Sequence, residues 1–100
     1  MNIHEIRILQ RNIENDKRLG SVSENFHVCP LSLIAGTKFN PTAQYVHEKT
    51  GIDTWYLHGL EDGWYASSWK DFLNNNLTNR SQRISYLRGY AFGKKMMGYA

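Results

Sequence analysis

Between Asn2 and Leu19 the apolar residues Ile3, Ile6, Leu9 and Ile13 recur at steps of three, three and four. That spacing puts them on one face of a helix. Glu5, Arg7, Arg11, Glu14 and Lys17 fall mostly elsewhere, and Gly20 reads as the stop. Residues 21–25 are polar and turn-like. Phe26 and Val28 then admit a short strand over Phe26–Cys29. Pro30 suits the first turn of a helix, where its missing N–H matters least. With Leu31, Leu33 and Ile34 behind it, Pro30–Ala35 is expected to be a short buried helix ended by Gly36.

Asn40-Pro41 combines a capping side chain with a proline at the first helical position. The helix it starts is expected to run to Thr50 and stop at Gly51. Asp53 caps the next helix, from Thr54 to about Ala66. Ser67 or Ser68 begins a further piece with Trp69, Phe72 and Leu73 on one side, broken by Asn74-Asn75-Asn76. Ser81 opens a final helix carrying Ile84, Leu87, Ala91 and Met97. The pattern predicts an all-α fold: a compact bundle of about five helices in one domain, residues 1–100, with at most one short strand.

Two stretches are motif-like. Over residues 41–64 a helix, a glycine turn at Gly51 and a second helix from Asp53 place Val46, Ile52, Leu57 and Leu60 where a helix-turn-helix buries its contacts. The stretch resembles the helix-turn-helix family, except that the usual small residue after the Val46 position is His47. The resemblance implies that Asp53, Thr54, Trp55 and His58 would face DNA bases. None of these supplies the bidentate pairing of Arg, Lys, Asn or Gln, and Asp53, Glu61 and Asp62 would repel phosphate. A helical hairpin used for packing is the preferred expectation.

The second stretch is a repeat. Tyr56-Leu57-His58-Gly59-x-x-x-Gly63 and Tyr86-Leu87-Arg88-Gly89-x-x-x-Gly93 share a pattern thirty residues apart. A glycine inside a helix costs about 1 kcal/mol relative to alanine, so two per helix need a reason. Glycines four apart share a face and let another backbone approach closely. These helices are expected to pack through their glycine faces, on each other or on a twin subunit. The Gly89-Tyr90-x-x-Gly93 run with its basic neighbours resembles, over a few residues, ribosome-associated basic helices including ribosome modulation factor. The Cys-Pro and Trp-x-x-x-Gly elements stand in a different order here, and no family is assigned.

Composition sharpens the picture at one end. The net charge is +3, but residues 1–71 sum to −2, whereas residues 72–100 hold Arg80, Arg83, Arg88, Lys94 and Lys95 with no acid. Such asymmetry points the C-terminal segment at something anionic: nucleic acid, an acidic protein surface, or the acidic remainder of its own chain. A lone cysteine, Cys29, makes no internal disulfide. No stretch approaches the length of a membrane span, and the N-terminus lacks the order of a signal peptide. The expected location is cytoplasmic, without membrane partners.

Catalytic and metal-binding signatures are sparse. His47-Glu48 begins like a zinc-protease motif, but position 51 is Gly. His58 and Asp62 are a surface ion pair more readily than a metal site. No Cys-x-x-Cys and no phosphate-binding Gly-Lys-Ser/Thr loop occurs. The expectation is therefore a small binding protein, not an enzyme, with no cofactor and no metal. Nucleic-acid or ribonucleoprotein binding would use Arg80, Arg83, Arg88, Lys94 and Lys95 on phosphates, with Tyr86 and Tyr90 for stacking. The alternative is a protein–protein interaction module, an inhibitor or adaptor of the kind phages and mobile elements encode, with Trp55, Trp64, Trp69, Met96 and Met97 as its contacts. A homo-oligomer built on the first helix or the glycine faces is the third.

Overall fold

Two glycine-bearing helices set the architecture. The protein is described from a computed structural model, which covers residues 2–15, 29–69 and 79–98. These residues form five helices and no strand: α1 (Ile3–Asn15), α2 (Pro30–Ala35), α3 (Ala43–Thr50), α4 (Thr54–Trp64) and α5 (Arg80–Met96). The all-α bundle is the expected class. The expected strand at Phe26–Cys29 lies outside the described residues save for Cys29, as does most of the piece through Phe72 and Leu73.

The central contact is α4 against α5 through Gly59, Gly63, Gly89 and Gly93, all buried. A Cβ on Gly59 would fall on the carbonyl of Tyr86, and one on Gly89 on the carbonyl of Tyr56. Gly63 and Gly93 meet the carbonyls of Tyr90 and Leu60 in the same way. All four separations are inside 3.0 Å, which a real Cβ essentially never reaches. The backbones therefore touch directly, the geometry of Cα–H···O contacts. Both steps of the register advance in the same direction, so α4 and α5 run parallel. The repeated segments are related by a local two-fold. Of the two arrangements the glycine pattern admitted, the glycine faces pack on each other.

Around this pair the core is filled by Leu31, Val46, Ile52, Leu57, Leu60, Trp64, Phe92 and Met96, contributed by α2, α3, the α3–α4 turn, α4 and α5. The four positions of the helix-turn-helix-like stretch, Val46, Ile52, Leu57 and Leu60, are wholly buried. Gly51 adopts φ +78°, where a Cβ would be strained, and its N–H donates to the His47 carbonyl at 2.7 Å. His47 closes the turn. Its Nδ1 lies 2.7 Å from the carbonyl of Ile52, and since a carbonyl only accepts, Nδ1 carries the proton.

Two boundaries differ from the pattern. The cap of α3 is Thr42, whose Oγ1 accepts from the Tyr45 N–H at 3.1 Å, rather than Asn40. Pro41 and Val46 are both buried, at the two positions of a hydrophobic staple; that packing pulls the entry two residues inward. The final helix begins at Arg80, capped by Asn79 (Oδ1 to Gln82 N–H, 2.9 Å), instead of at Ser81. Its apolar residues Ile84, Leu87 and Ala91 are exposed, while Tyr86, Gly89, Phe92, Gly93 and Met96 are buried. Close approach to α4 requires the glycine side of α5, and this overrides the count of aliphatic residues on the opposite side.

Candidate functional site

At 3.6 residues per turn, the residues of α5 opposite its glycines are Arg80, Arg83, Ile84, Leu87, Arg88, Ala91, Lys94 and Lys95. All are exposed except half-buried Lys94. Every cation of the helix thus lies on its solvent half, and the helix holds no acid. Ile84, Leu87 and Ala91 make a stripe down the middle. Arg83 and Lys94 flank it on one edge, Arg88 and Lys95 on the other. Arg80 stands at the N-terminal end.

The Arg88 edge abuts α1. Arg88 Nη2 reaches the two carboxylate oxygens of Glu14 at 3.1 and 3.3 Å, and Lys95 Nζ donates to the Glu14 backbone carbonyl at 3.4 Å. The pair is partly exposed, so its net worth is at most about 1 kcal/mol. Glu14 also accepts from the Tyr56 hydroxyl at 2.9 Å. Glu14 therefore engages two of the five cations, Arg88 through its carboxylate and Lys95 through its backbone carbonyl. The side chains of Arg80, Arg83 and Lys94 make no hydrogen bond or ion pair among the described residues.

Upstream of Arg88 the seam between α1 and α5 opens into a cleft of about 700 Å³. Ile3, Ile6, Arg7 and Gln10 of α1 line one wall, Arg80, Ser81, Ile84, Ser85 and Arg88 of α5 another, and His47, Gly51 and Asp53 at the α3–α4 turn the floor. Downstream, a shallower hollow of about 300 Å³ lies between Glu14 and Asn15 and the stretch of α5 from Arg88 to Lys95. A groove thus follows α5 along its length. Arg7, Ile3, Ile6 and His47 were absent from the sequence-derived set. The signal for Arg7 was in the periodicity: residues 3, 6, 7, 10, 13 and 14 share one side of α1. The docking of that side beside α5 is a tertiary fact.

The aromatic residues sort differently from expectation. Tyr86 is wholly buried and donates its hydroxyl to Asp62 Oδ2 at 2.5 Å, so it offers no face to a base. Tyr90 is half-buried, tilted against Tyr86 at 6.3 Å, with its hydroxyl on the Ser67 carbonyl at 2.8 Å. Tyr86 and its two-fold mate Tyr56 are both held far above the ordinary tyrosine range, first by burial and then by the carboxylate each one touches. Among the alternative contacts, Trp64 and Met96 are core residues and unavailable to a partner, because α4 and α5, which carry them, turn both side chains into the core shared with α2 and α3. Trp55 and Met97 are half-buried and Trp69 is exposed. Trp55 packs edge-on against His58 at 6.4 Å.

α4 presents little to a DNA groove. Tyr56, Leu57, Gly59, Leu60, Gly63 and Trp64 are buried, and of its eleven residues His58 alone is fully exposed. Glu61 beside it has its carboxyl raised by burial, opposed by His58 and reinforced by Asp62. No family model, curated protein or solved structure matches the chain.

Proposed function

We propose that this protein binds nucleic acid along the solvent face of α5. The observation that supports the reading is the distribution of charge: five cations and no acid on one exposed helical half, three of the cations unpartnered among the described residues. Phosphate contacts need cations at intervals along a groove and little else. The face of α5 offers them from Arg80 to Lys95, with Arg80, Arg88 and Lys95 lining the groove beside α1, Arg83 and Lys94 on the far edge, and the Ile84–Leu87–Ala91 stripe between them available to the apolar faces of sugars and bases. Phosphate contacts carry no sequence information, so binding that rests on them is expected to be largely indifferent to sequence.

Fluorescence anisotropy of labelled single-stranded and duplex oligonucleotides across a salt series tests this. Five neutralised phosphates give a log–log slope of about −3.5 on a single strand and about −4.5 on a duplex. Absence of binding to either at low salt overturns the reading.

The apolar stripe favours a second reading, an acidic protein surface. Its three residues sit at the centre of the charged face, and hydrophobic centres with polar rims are the anatomy of protein interfaces. An interface of that kind loses affinity when Leu87 becomes Ser and shows a shallow salt dependence.

A further inference from the structure

The upper cleft is more than a stretch of the groove. Its volume of about 700 Å³ is that of a small-molecule site, and its walls carry two kinds of chemistry. Ile3, Ile6 and Ile84 converge from α1 and α5, although Ile3 and Ile84 are 66% and 48% exposed. Beside them stand the guanidinium groups of Arg7, Arg80 and Arg88. The one acid in the lining, Asp53, has a carboxylate oxygen on the Trp55 N–H at 3.3 Å, as the cap of α4. Arg88 is held by Glu14. Arg7 and Arg80, one from each wall, are left with no anionic partner among the described residues.

A ligand that satisfies this cleft has a compact anion and a flat, largely apolar body. Guanidinium groups pair with phosphate oxygens through two parallel N–H donors. Aliphatic walls take a ring face. We propose that the cleft is a nucleotide subsite: the phosphate of one nucleotide unit sits between Arg7 and Arg80, and its base lies against Ile3, Ile6 and Ile84. The identity of the occupant rests on the nucleic-acid reading of the α5 face. The cleft adds to it a residue from a different helix, Arg7, and a pocket in which one unit of a strand leaves the groove.

The test uses the full chain and adenosine 5′-monophosphate, followed by calorimetry and by chemical-shift changes in an amide NMR spectrum. Inorganic phosphate and adenosine serve as half-ligands, and an acidic peptide as the competing class. The monophosphate is expected to bind more tightly than either half and to shift resonances of α1 and the N-terminal half of α5. Arg7→Ala and Ile84→Glu change exposed side chains. Each is expected to weaken the monophosphate about tenfold or more, while Lys94→Ala, outside the cleft, leaves it unchanged. An oligonucleotide that binds with the expected salt slope, together with a monophosphate that does not bind and an Arg7→Ala variant of unaltered oligonucleotide affinity, overturns the subsite and leaves the α5 reading standing. Monophosphate binding that depends on Arg7, without oligonucleotide binding, overturns the α5 reading and leaves the subsite. Saturation by the acidic peptide but not by the monophosphate overturns the subsite.

Discussion

Replacing Gly89 by alanine tests the packing that fixes the molecule. The new methyl would meet the carbonyl oxygen and carbon of Tyr56 and the amide nitrogen of Leu60, all backbone atoms of a helix. Backbone cannot rotate aside as a side chain does, so α4 and α5 must separate until the contact reaches the ordinary range, 3.4–4 Å. Separation loosens Leu57, Leu60, Trp64, Phe92 and Met96, which the pair closes over. Overpacking of this kind costs about 1–3 kcal/mol, and more when backbone must move. Alanine returns about 1 kcal/mol through its higher helix propensity. The expected net loss is about 2 kcal/mol, the top of that range less the propensity gain. For a chain of this size that lowers the melting temperature by roughly 8–16 °C. Gly59→Ala strikes the reciprocal contact with Tyr86 and is expected to cost about as much. The double variant is expected to cost less than the sum, since the first methyl already holds the helices apart. Urea unfolding followed by tryptophan fluorescence reads the effect, with Trp64 buried at the seam. Gly36→Ala is the control. Nothing lies within 4 Å of its methyl, and only its φ of +69° resists, at about 1–2 kcal/mol. A Gly89→Ala protein as stable as the parent, or more so, would refute the direct backbone contact.

Four further outcomes are expected. Thr42→Ala should lose about 1 kcal/mol of stability as the cap of α3, and Asn40→Ala less than about 0.5 kcal/mol; the reverse order in urea melts would place the cap at Asn40. Tyr56 and Tyr86 have folded-state values raised above the ordinary 10.0, so the fold keeps both neutral. Their contribution is intact below that pH, and stability falls above it, as the unfolded chain ionises, by about 1.4 kcal/mol per pH unit for each; ultraviolet titration of these two phenols should coincide with unfolding, and ionisation in the folded protein would contradict their burial. Trp64→Ala should cost about 3–5 kcal/mol, far more than Trp55→Ala, a difference that differential scanning calorimetry resolves. Arg83→Ala combined with Lys94→Ala should make the salt slope of oligonucleotide binding shallower by about 1.4–1.8 without shifting the melting temperature; an unchanged slope would place the phosphates elsewhere.

Much of this fold is legible because its signals are local. Pro30 and Gly36 delimit α2, Gly51 ends α3, and Asp53 caps α4, each through the backbone geometry of its own neighbours. The paired glycine pattern also carries its meaning on its face, since few reasons other than close approach put two glycines in each of two helices. The side that α5 buries is not local. Ile84, Leu87 and Ala91 are as good a helical stripe as Tyr86, Phe92 and Met96, and only the glycines between the latter decide the matter. The cations of the site were visible as an acid-free run, because nothing in 72–100 offsets them. Arg7 was not: the spacing puts it on the same side of α1 as Ile3 and Ile6, but the docking of that side beside α5 is a tertiary contact. The buried tyrosine shows the complementary error: residue type suggested stacking at Tyr86, while the two-fold places it at the interface of the helices.

Glu14 gives the groove a tethered rival to incoming phosphate. Its carboxylate sits on Arg88 and its carbonyl near Lys95, at the high effective concentration that attachment to the same chain confers. A small anion at Arg88 would have to displace that carboxylate, at a cost of about 1 kcal/mol or less. On the proposed reading, an extended polyanion would engage Arg80, Arg83 and Lys94 first, where no such rival stands, and would then meet Arg88 as a neighbour already in place. Occupancy of Arg88 would in that case respond to the length of the strand. A threshold of that kind would come from one acid on an adjoining helix, with no moving part.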